Sequence, residues 1–313
     1  MIGLRIQNYQ GENDYTRIHT FLRTVFLLND RRALSWPVAR FDYWRWHGIY
    51  NLGQGSLEQN TYIWETRRGK IAAVLNSEGL GHAFLQVHPT FKNAKLEEQM
   101  IDYAEDHLKE PSRKGGSVLW VWTDSKDTQR IEILKRRDYT HLKEHDEYQW
   151  RRSLKLAIPE CTVLSGYSIR TLGDSSELSS RSWASWRAFH SDEPEEKYQN
   201  DWKWYLNIQA APLYRPDLDL VAITREGEVA AFTTIWYDEA THSGYFEPLG
   251  TVPEHQRSGL ARVLLCDGMR RLKRLGATMC MIAGRSLAAN SLYREVLGPI
   301  YDLSQPWEKR WAG

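Results

Sequence analysis

The chain has 313 residues, enough for two domains of ordinary size. Its 41 basic and 40 acidic residues leave a net charge of +1, which speaks against a general nucleic-acid binder, and no stretch approaches the length of a membrane span. No N-terminal apolar run resembles a signal peptide, and Cys161, Cys266 and Cys280 are far apart and odd in number, so the expectation is a reduced, cytoplasmic protein without a metal site.

In chain order, the first half opens with a strand at Leu4 to Asn8. A helix follows, on which Ile18, Phe21, Leu22, Val25 and Phe26 fall at helical spacing. Thr61 to Glu65 and Lys70 to Leu75 read as strands on either side of a turn at Arg68-Gly69. Gly81 to Val87 is the next strand, Leu96 to Leu108 a helix, Ser117 to Thr123 a strand, Gln129 to Arg136 a helix and Tyr148 to Ser153 a closing strand. Between Leu154 and Gly166 the pattern fades and Pro159 and Gly166 punctuate the run, which marks a domain boundary.

The second half repeats the plan: a strand at Tyr167 to Thr171, a helix from Ser176 to Phe189, the acidic run Asp192 to Glu196, and a Trp-rich helix around Asp201 to Ile208. A hairpin of Leu218 to Thr224 and Val229 to Trp236 precedes a central strand at Gly244 to Thr251. Ordered matches support a duplication. Trp44 answers Trp202 and Gly69 answers Gly227, both at an offset of 158, and Pro89 answers Pro253 at 164.

The chemistry concentrates at Glu247 to Arg262, EPLGTVPEHQRSGLAR, which reads as a strand end, a turn and a helix start. The unpaired N–H groups and partial positive charge of a helix start capture anions. Leu260, Val263, Leu264, Met269, Leu272 and Leu275 form the apolar stripe of that helix and Gly276 closes it. Thr278 to Ala283 is the next strand, followed by a short helix at Ala288 to Leu297 that carries Tyr293.

Gln256, Gly259 and Ala261, in the pattern Gln/Arg-x-x-Gly-x-Gly/Ala, resemble the acetyl-CoA pyrophosphate loop of the GNAT superfamily of N-acyltransferases. Ala289, Leu292 and Tyr293 match the family's later helix; Ser286 stands where an Asn is usual, and Gly298-Pro299 replaces Gly-Phe. The resemblance implies an α/β protein of two tandem GNAT-like domains, residues 1–155 and 156–313, each a mixed, mostly antiparallel sheet flanked by helices. Acetyl-CoA is the implied co-substrate. The backbone of Leu249, Gly250, Thr251 and Val252 is implied to bond pantetheine, and Gln256, Arg257, Ser258, Gly259, Leu260, Ala261 and Arg262 the pyrophosphate, with Asn290 also on the cofactor. Tyr293 takes the general-acid position and Glu247 that of a base acting through water. Because Pro248 cannot donate a ladder hydrogen bond, the strand is expected to splay there, as the family's pantetheine entry requires. His190 and His255 stand in reserve.

Trp183, Trp186, Trp202, Trp204, Trp236 and Tyr237, near Asp192, Glu193, Glu195 and Glu196, are the candidate wall for an amine acceptor, a small molecule. Arg270, Arg271, Lys273 and Arg274, near a helix C-terminus, read as a solvated face. Aligning Pro89 with Pro253 puts Lys95 opposite Gly259 and Glu97 opposite Ala261, so the first half is expected to keep the fold and lack the cofactor site. Two other readings stay open: a non-catalytic acyl-CoA sensor, and an aminoacyl-tRNA-dependent peptidyl transferase, which the balanced charge disfavours. Neither monomer nor homodimer is excluded.

Overall fold

The computed structural model describes residues 3–79, 81–113 and 115–313. In chain order the elements begin with β1 (Arg5–Asn8), α1 (Glu12–Leu28), α2 (Val38–Tyr43), α3 (Tyr50–Leu52), α4 (Leu57–Asn60), β2 (Thr61–Glu65), β3 (Ile71–Asn76) and β4 (His82–Val87). There follow α5 (Ala94–His107), β5 (Glu110–Pro111), β6 (Ser117–Asp124), α6 (Thr128–Arg136), β7 (Thr140–His141) and β8 (Glu147–Ser153). The second half holds β9 (Tyr167–Thr171), α7 (Leu178–Phe189), α8 (Trp204–Gln209), β10 (Asp219–Thr224), β11 (Val229–Asp238), β12 (Ser243–Thr251), α9 (Leu260–Arg274), β13 (Met279–Gly284), α10 (Leu287–Leu297) and β14 (Tyr301–Trp311).

The chain divides into two compact units, and they are not two consecutive halves meeting at residues 155 and 156. The first unit runs to Gln149 and regains Tyr301–Gly313; the second is Trp150–Ile300. The final strand was absent from the sequence expectation. Pro306 sits at its centre, and a proline argues against a strand because it withholds a ladder N–H. The segment is nonetheless extended and pairs antiparallel with β6 from Ser304 to Trp311.

In the first unit the sheet order is β1-β2-β3-β4-β6-β14, antiparallel except where β4 and β6 run parallel. Strands β2 and β3 are buried along their whole length, and their two faces supply two apolar clusters. Ile18, Phe21, Leu22 and Val25 of α1 belong to one; Leu96, Met100, Ile101 and Ala104 of α5 belong to the other.

The second unit repeats this order as β13-β12-β11-β10-β9, with β12 and β13 the parallel pair. Residues of β11 alternate between faces. Phe232 meets Phe189 of α7, whereas Ile235 faces α9, where a Cβ on Gly268 would stand 2.5 Å from it. Gly268 and Gly244 therefore let α9 lie close on the sheet. Arg270 and Arg271 of that helix are held by Pro159, Asp267 and Asp217, while Lys273 and Arg274 are exposed. The expected reduced state of all three cysteines is not what the structure shows: Cys161 and Cys266 are joined as a disulfide, and Cys280 is buried and free. Spacing along the chain hid this pairing, because the run after the boundary folds back onto α9.

Candidate functional site

The parallel ladder between β12 and β13 runs from Ser243↔Met279 to Phe246↔Ile282 and stops there, although both strands continue. On its other edge β12 stays paired with β11, but the register shifts between Thr233 and Ile235, so that Glu247 and Pro248 stand opposite Thr234 alone in a bulge. The Glu247–Pro248 peptide is cis, and the Glu247 carbonyl accepts from Trp236 Nε1 at 2.6 Å. Glu247 thus stands where the two parallel strands part. Beyond it, Leu249, Gly250 and Thr251 are bonded to β11 on one side and have no β13 partner on the other.

Past Val252 the chain makes a single turn at Pro253–His255 and enters α9. Gln256 Nε2 donates to the Thr251 carbonyl at 3.3 Å, and Ser258 Oγ donates to the His255 carbonyl. Arg257 has φ 60° and Gly259, the N-cap, φ 75°; at Gly259 a Cβ would meet nothing within 4 Å, so the glycine serves the backbone turn and leaves open space. No side chain caps α9. The first N–H groups of the helix, at Leu260, Ala261 and Arg262, consequently face outward without an intrahelical acceptor. Arg257 is exposed, and Arg262 is paired with Glu295 of α10.

Ser286 starts α10 by capping Ala289 N at 3.1 Å, and the helix brings Tyr293 back over the end of β13. The ring lies against Gly284, where a Cβ would be 3.0 Å from Tyr293 Cδ2 and Cε2. Tyr293 is buried, and that burial, with the nearby charge of Glu247 second, pushes its hydroxyl well above the ordinary tyrosine range. The charge of Glu247 therefore acts on Tyr293, 46 residues away in sequence. Asn290 accepts from Trp150 Nε1 at 2.8 Å, so its carbonyl oxygen orients a neighbouring indole.

The expected aromatic wall divides. Trp183 and Trp186 are half-buried and stacked at 5.6 Å, and Tyr198 closes on both at 5.1 and 5.5 Å. His190 stacks on Trp186 at 5.6 Å. Tyr198 was not foreseen; it lies in an irregular stretch with no periodicity to point to it. Trp202 is half-buried ahead of α8, and Trp204 donates to Ser182 Oγ at 2.9 Å. Trp236 is 0% exposed and Tyr237 is buried with its hydroxyl on the Leu275 carbonyl, so both belong to the core rather than to a wall. Asp192, Glu195 and Glu196 are exposed, Glu193 pairs with Lys197, and His255 Nδ1 meets the Tyr167 hydroxyl at 3.0 Å.

Residues 178–298 match the family model described as the acetyltransferase (GNAT) family. Among solved structures, the chain is similar to a GCN5-related N-acetyltransferase from Sphaerobacter thermophilus (16% identity, 99% of this chain and 97% of that one, TM-score 0.67). It is also similar to a tandem GNAT protein from the clavulanic acid biosynthesis pathway (13%, 98% and 98%, TM-score 0.63) and to a GNAT-family acetyltransferase from Colwellia psychrerythraea (11%, 97% and 100%, TM-score 0.59). At these identities the likeness is one of fold. None of the curated proteins matches the sequence. Within the second unit, residues 178–298 thus match the acetyltransferase (GNAT) family, and the fold of the whole chain is similar to that of a tandem GNAT protein.

Proposed function

We propose that the second unit transfers an acetyl group from acetyl-CoA directly to the amine of a small molecule. The observation that carries this reading is the parting of β12 from β13 at Glu247, whose charge reaches the buried Tyr293 of α10. Acetyl-CoA supplies an activated thioester carbonyl. The free edge of Leu249–Thr251 is suited to bond an extended amide chain, and the uncapped start of α9 to receive the pyrophosphate. The amine must be neutral to attack, and Glu247 takes its proton through water. Tyr293, held protonated by burial and by the Glu247 charge, is poised to give a proton to the departing thiolate. The Trp183–Trp186–Tyr198 cluster, near an acidic run, suits a cationic or amphipathic acceptor.

The first unit keeps the fold without this chemistry in our reading. Its parallel ladder also ends early, at Phe84↔Trp122, but β3 and β4 stay in unbroken register and no residues answer Glu247 and Pro248. The offset between the units grows from 162 at Phe84/Phe246 to 164 at Val87/Thr251 for that reason. Asn93 caps α5 through Leu96 N at 3.1 Å where α9 has no cap, and α6 contains no tyrosine. Lys95 is exposed. Glu97, expected to repel an anion, instead turns inward to Arg130 at 2.7 Å and Gln129 at 3.1 Å.

Calorimetry with acetyl-CoA on the wild type and on Gly259→Glu tests the reading, followed by thiol release with a panel of amines. One equivalent bound, lost in the variant, supports it. Two equivalents would overturn the assignment of the first unit. No binding would remove the acetyltransferase reading altogether.

A further inference from the structure

Arg181 lies on the buried stripe of α7 with Leu178, Ser182, Ala184 and Ser185 and is 0% exposed. None of its three guanidinium nitrogens meets a hydrogen-bond acceptor among the described residues. A buried guanidinium left so is among the costliest placements in a protein, and its surroundings must offset that cost. Two aromatic rings and a carboxylate do this. Its Cζ stands 3.7 Å from the centroid of Phe232 and 4.8 Å from that of Tyr205. Beyond Tyr205 lies Asp219, fully buried, accepting from the Tyr205 hydroxyl at 2.7 Å and the Tyr214 hydroxyl at 2.8 Å. Burial pushes the Asp219 carboxyl up, and the charge of Arg181 acts against that push.

The stack continues toward the site. Phe232 of β11 is paired directly with Gly250 of β12, in the stretch just past the bulge. Because Gly250 has no side chain, the tip of the ring lies over its backbone: a Cβ there would be 2.3 Å from Phe232 Cζ and 2.9 and 3.0 Å from the two Cε atoms. A cation on α7, a ring on β11 and the backbone of the parted strand are thus in one line of contact.

We propose that Arg181 is a positioning residue for acetyl-CoA binding: pressed on Phe232, it fixes the Gly250 backbone of β12 in the line that an extended thioester arm must follow. This rests on the reading of β12 as the acyl-CoA strand. It also gives α7, the helix that carries Trp183 and Trp186, a mechanical link to that strand.

The test is a double-mutant cycle on the full chain, with Arg181→Met, Phe232→Leu and both together, and Arg181→Lys as the conservative variant. Acetyl-CoA dissociation constants are measured by calorimetry at a temperature where circular dichroism shows each variant folded. Each single change is expected to weaken binding about tenfold, the pair to weaken it little further, and Arg181→Lys to recover part of the loss. A purely structural arginine would lower the melting temperature and leave the dissociation constant of the folded protein unchanged; that result overturns the proposal, as does an additive cycle. Should Arg181→Met not fold, Phe232→Leu and Arg181→Lys decide: wild-type affinity in both overturns it. If the wild type itself binds no acetyl-CoA, the acyl-CoA reading falls and this inference with it. Binding in the wild type together with unaltered variants defeats the inference alone.

Discussion

Replacing Gly284 by alanine separates a chemical role for Tyr293 from a purely structural one. Gly284 closes β13, and its φ is not in the left-handed region, so alanine is tolerated by the backbone itself. The new methyl would stand 2.5 Å from Asn290 Oδ1 and 3.0 Å from two carbons of the Tyr293 ring. Ordinary contacts are about 3.4–4 Å, so the ring must retreat by roughly 0.4–1 Å and the Trp150–Asn290 hydrogen bond must stretch or break. Overpacking of this kind costs about 1–3 kcal/mol, which in a unit of this size lowers the melting temperature by roughly 2–12 °C. A displacement near 1 Å of a group that acts on the reacting atoms costs up to about 100-fold in rate. The assay is acetyl-CoA-dependent thiol release with the best amine found, at a temperature where the variant is folded, beside Tyr293→Phe. A general-acid Tyr293 predicts that both variants lose kcat, Tyr293→Phe by about 100-fold or more, while acetyl-CoA affinity changes little. A Gly284→Ala protein that melts earlier yet turns over at the wild-type rate would refute the assignment.

His88 gives a pH dependence of stability. Burial, and then the charge of Lys70, lower its pKa from 6.5, and its Nδ1 accepts from Thr90 N at 3.2 Å, a bond that protonation removes. The unfolded chain therefore binds more protons than the folded one just below pH 6.5, so stability contributed by neutral His88 is present above that value and is lost as pH falls; His88→Asn should flatten this part of a melting-temperature profile. Thiol counting on the unreduced, denatured chain should find one reactive cysteine, Cys280, and three would contradict the Cys161–Cys266 link. Glu97→Ala should cost about 3–5 kcal/mol by stranding the buried Arg130, measured by denaturant unfolding, and should add no second equivalent of acetyl-CoA.

Periodicity served wherever one face of an element is apolar. The stripes of α1 and α9 and the runs of β2, β3 and β11 lie close to where spacing placed them. It failed at β14, whose Pro306 reads as a break, and at the fold-back that joins Cys161 to Cys266, since neither leaves a local pattern. Arg181 did leave one: it is a charged residue three positions after Leu178 and three before Ala184, on the stripe of α7 that is otherwise small or apolar. A cation at a stripe position calls for a partner on the facing sheet, and Asp219 and Phe232 are there.

The difference between the units narrows what the site needs. Both have the parallel pair that ends early, the turn opened by a proline and the helix behind it, so these belong to the fold alone. Among the described residues, the second differs at the corresponding places in having a bulge at Glu247 and Pro248, no side-chain cap on the helix behind the turn, and a buried tyrosine on the helix after the parallel pair. The bulge matters most physically. In the first unit the corresponding strand runs in unbroken register, and Gln86 on it is bonded to Asn76 and the Trp36 amide. In the second, the bulge puts a half-buried carboxylate, Glu247, at the point of parting, where its charge reaches the tyrosine. The carboxylate proposed as base thus stands where it does through a change in strand register, which no comparison of residue types between the two halves would reveal without the sheet pairing.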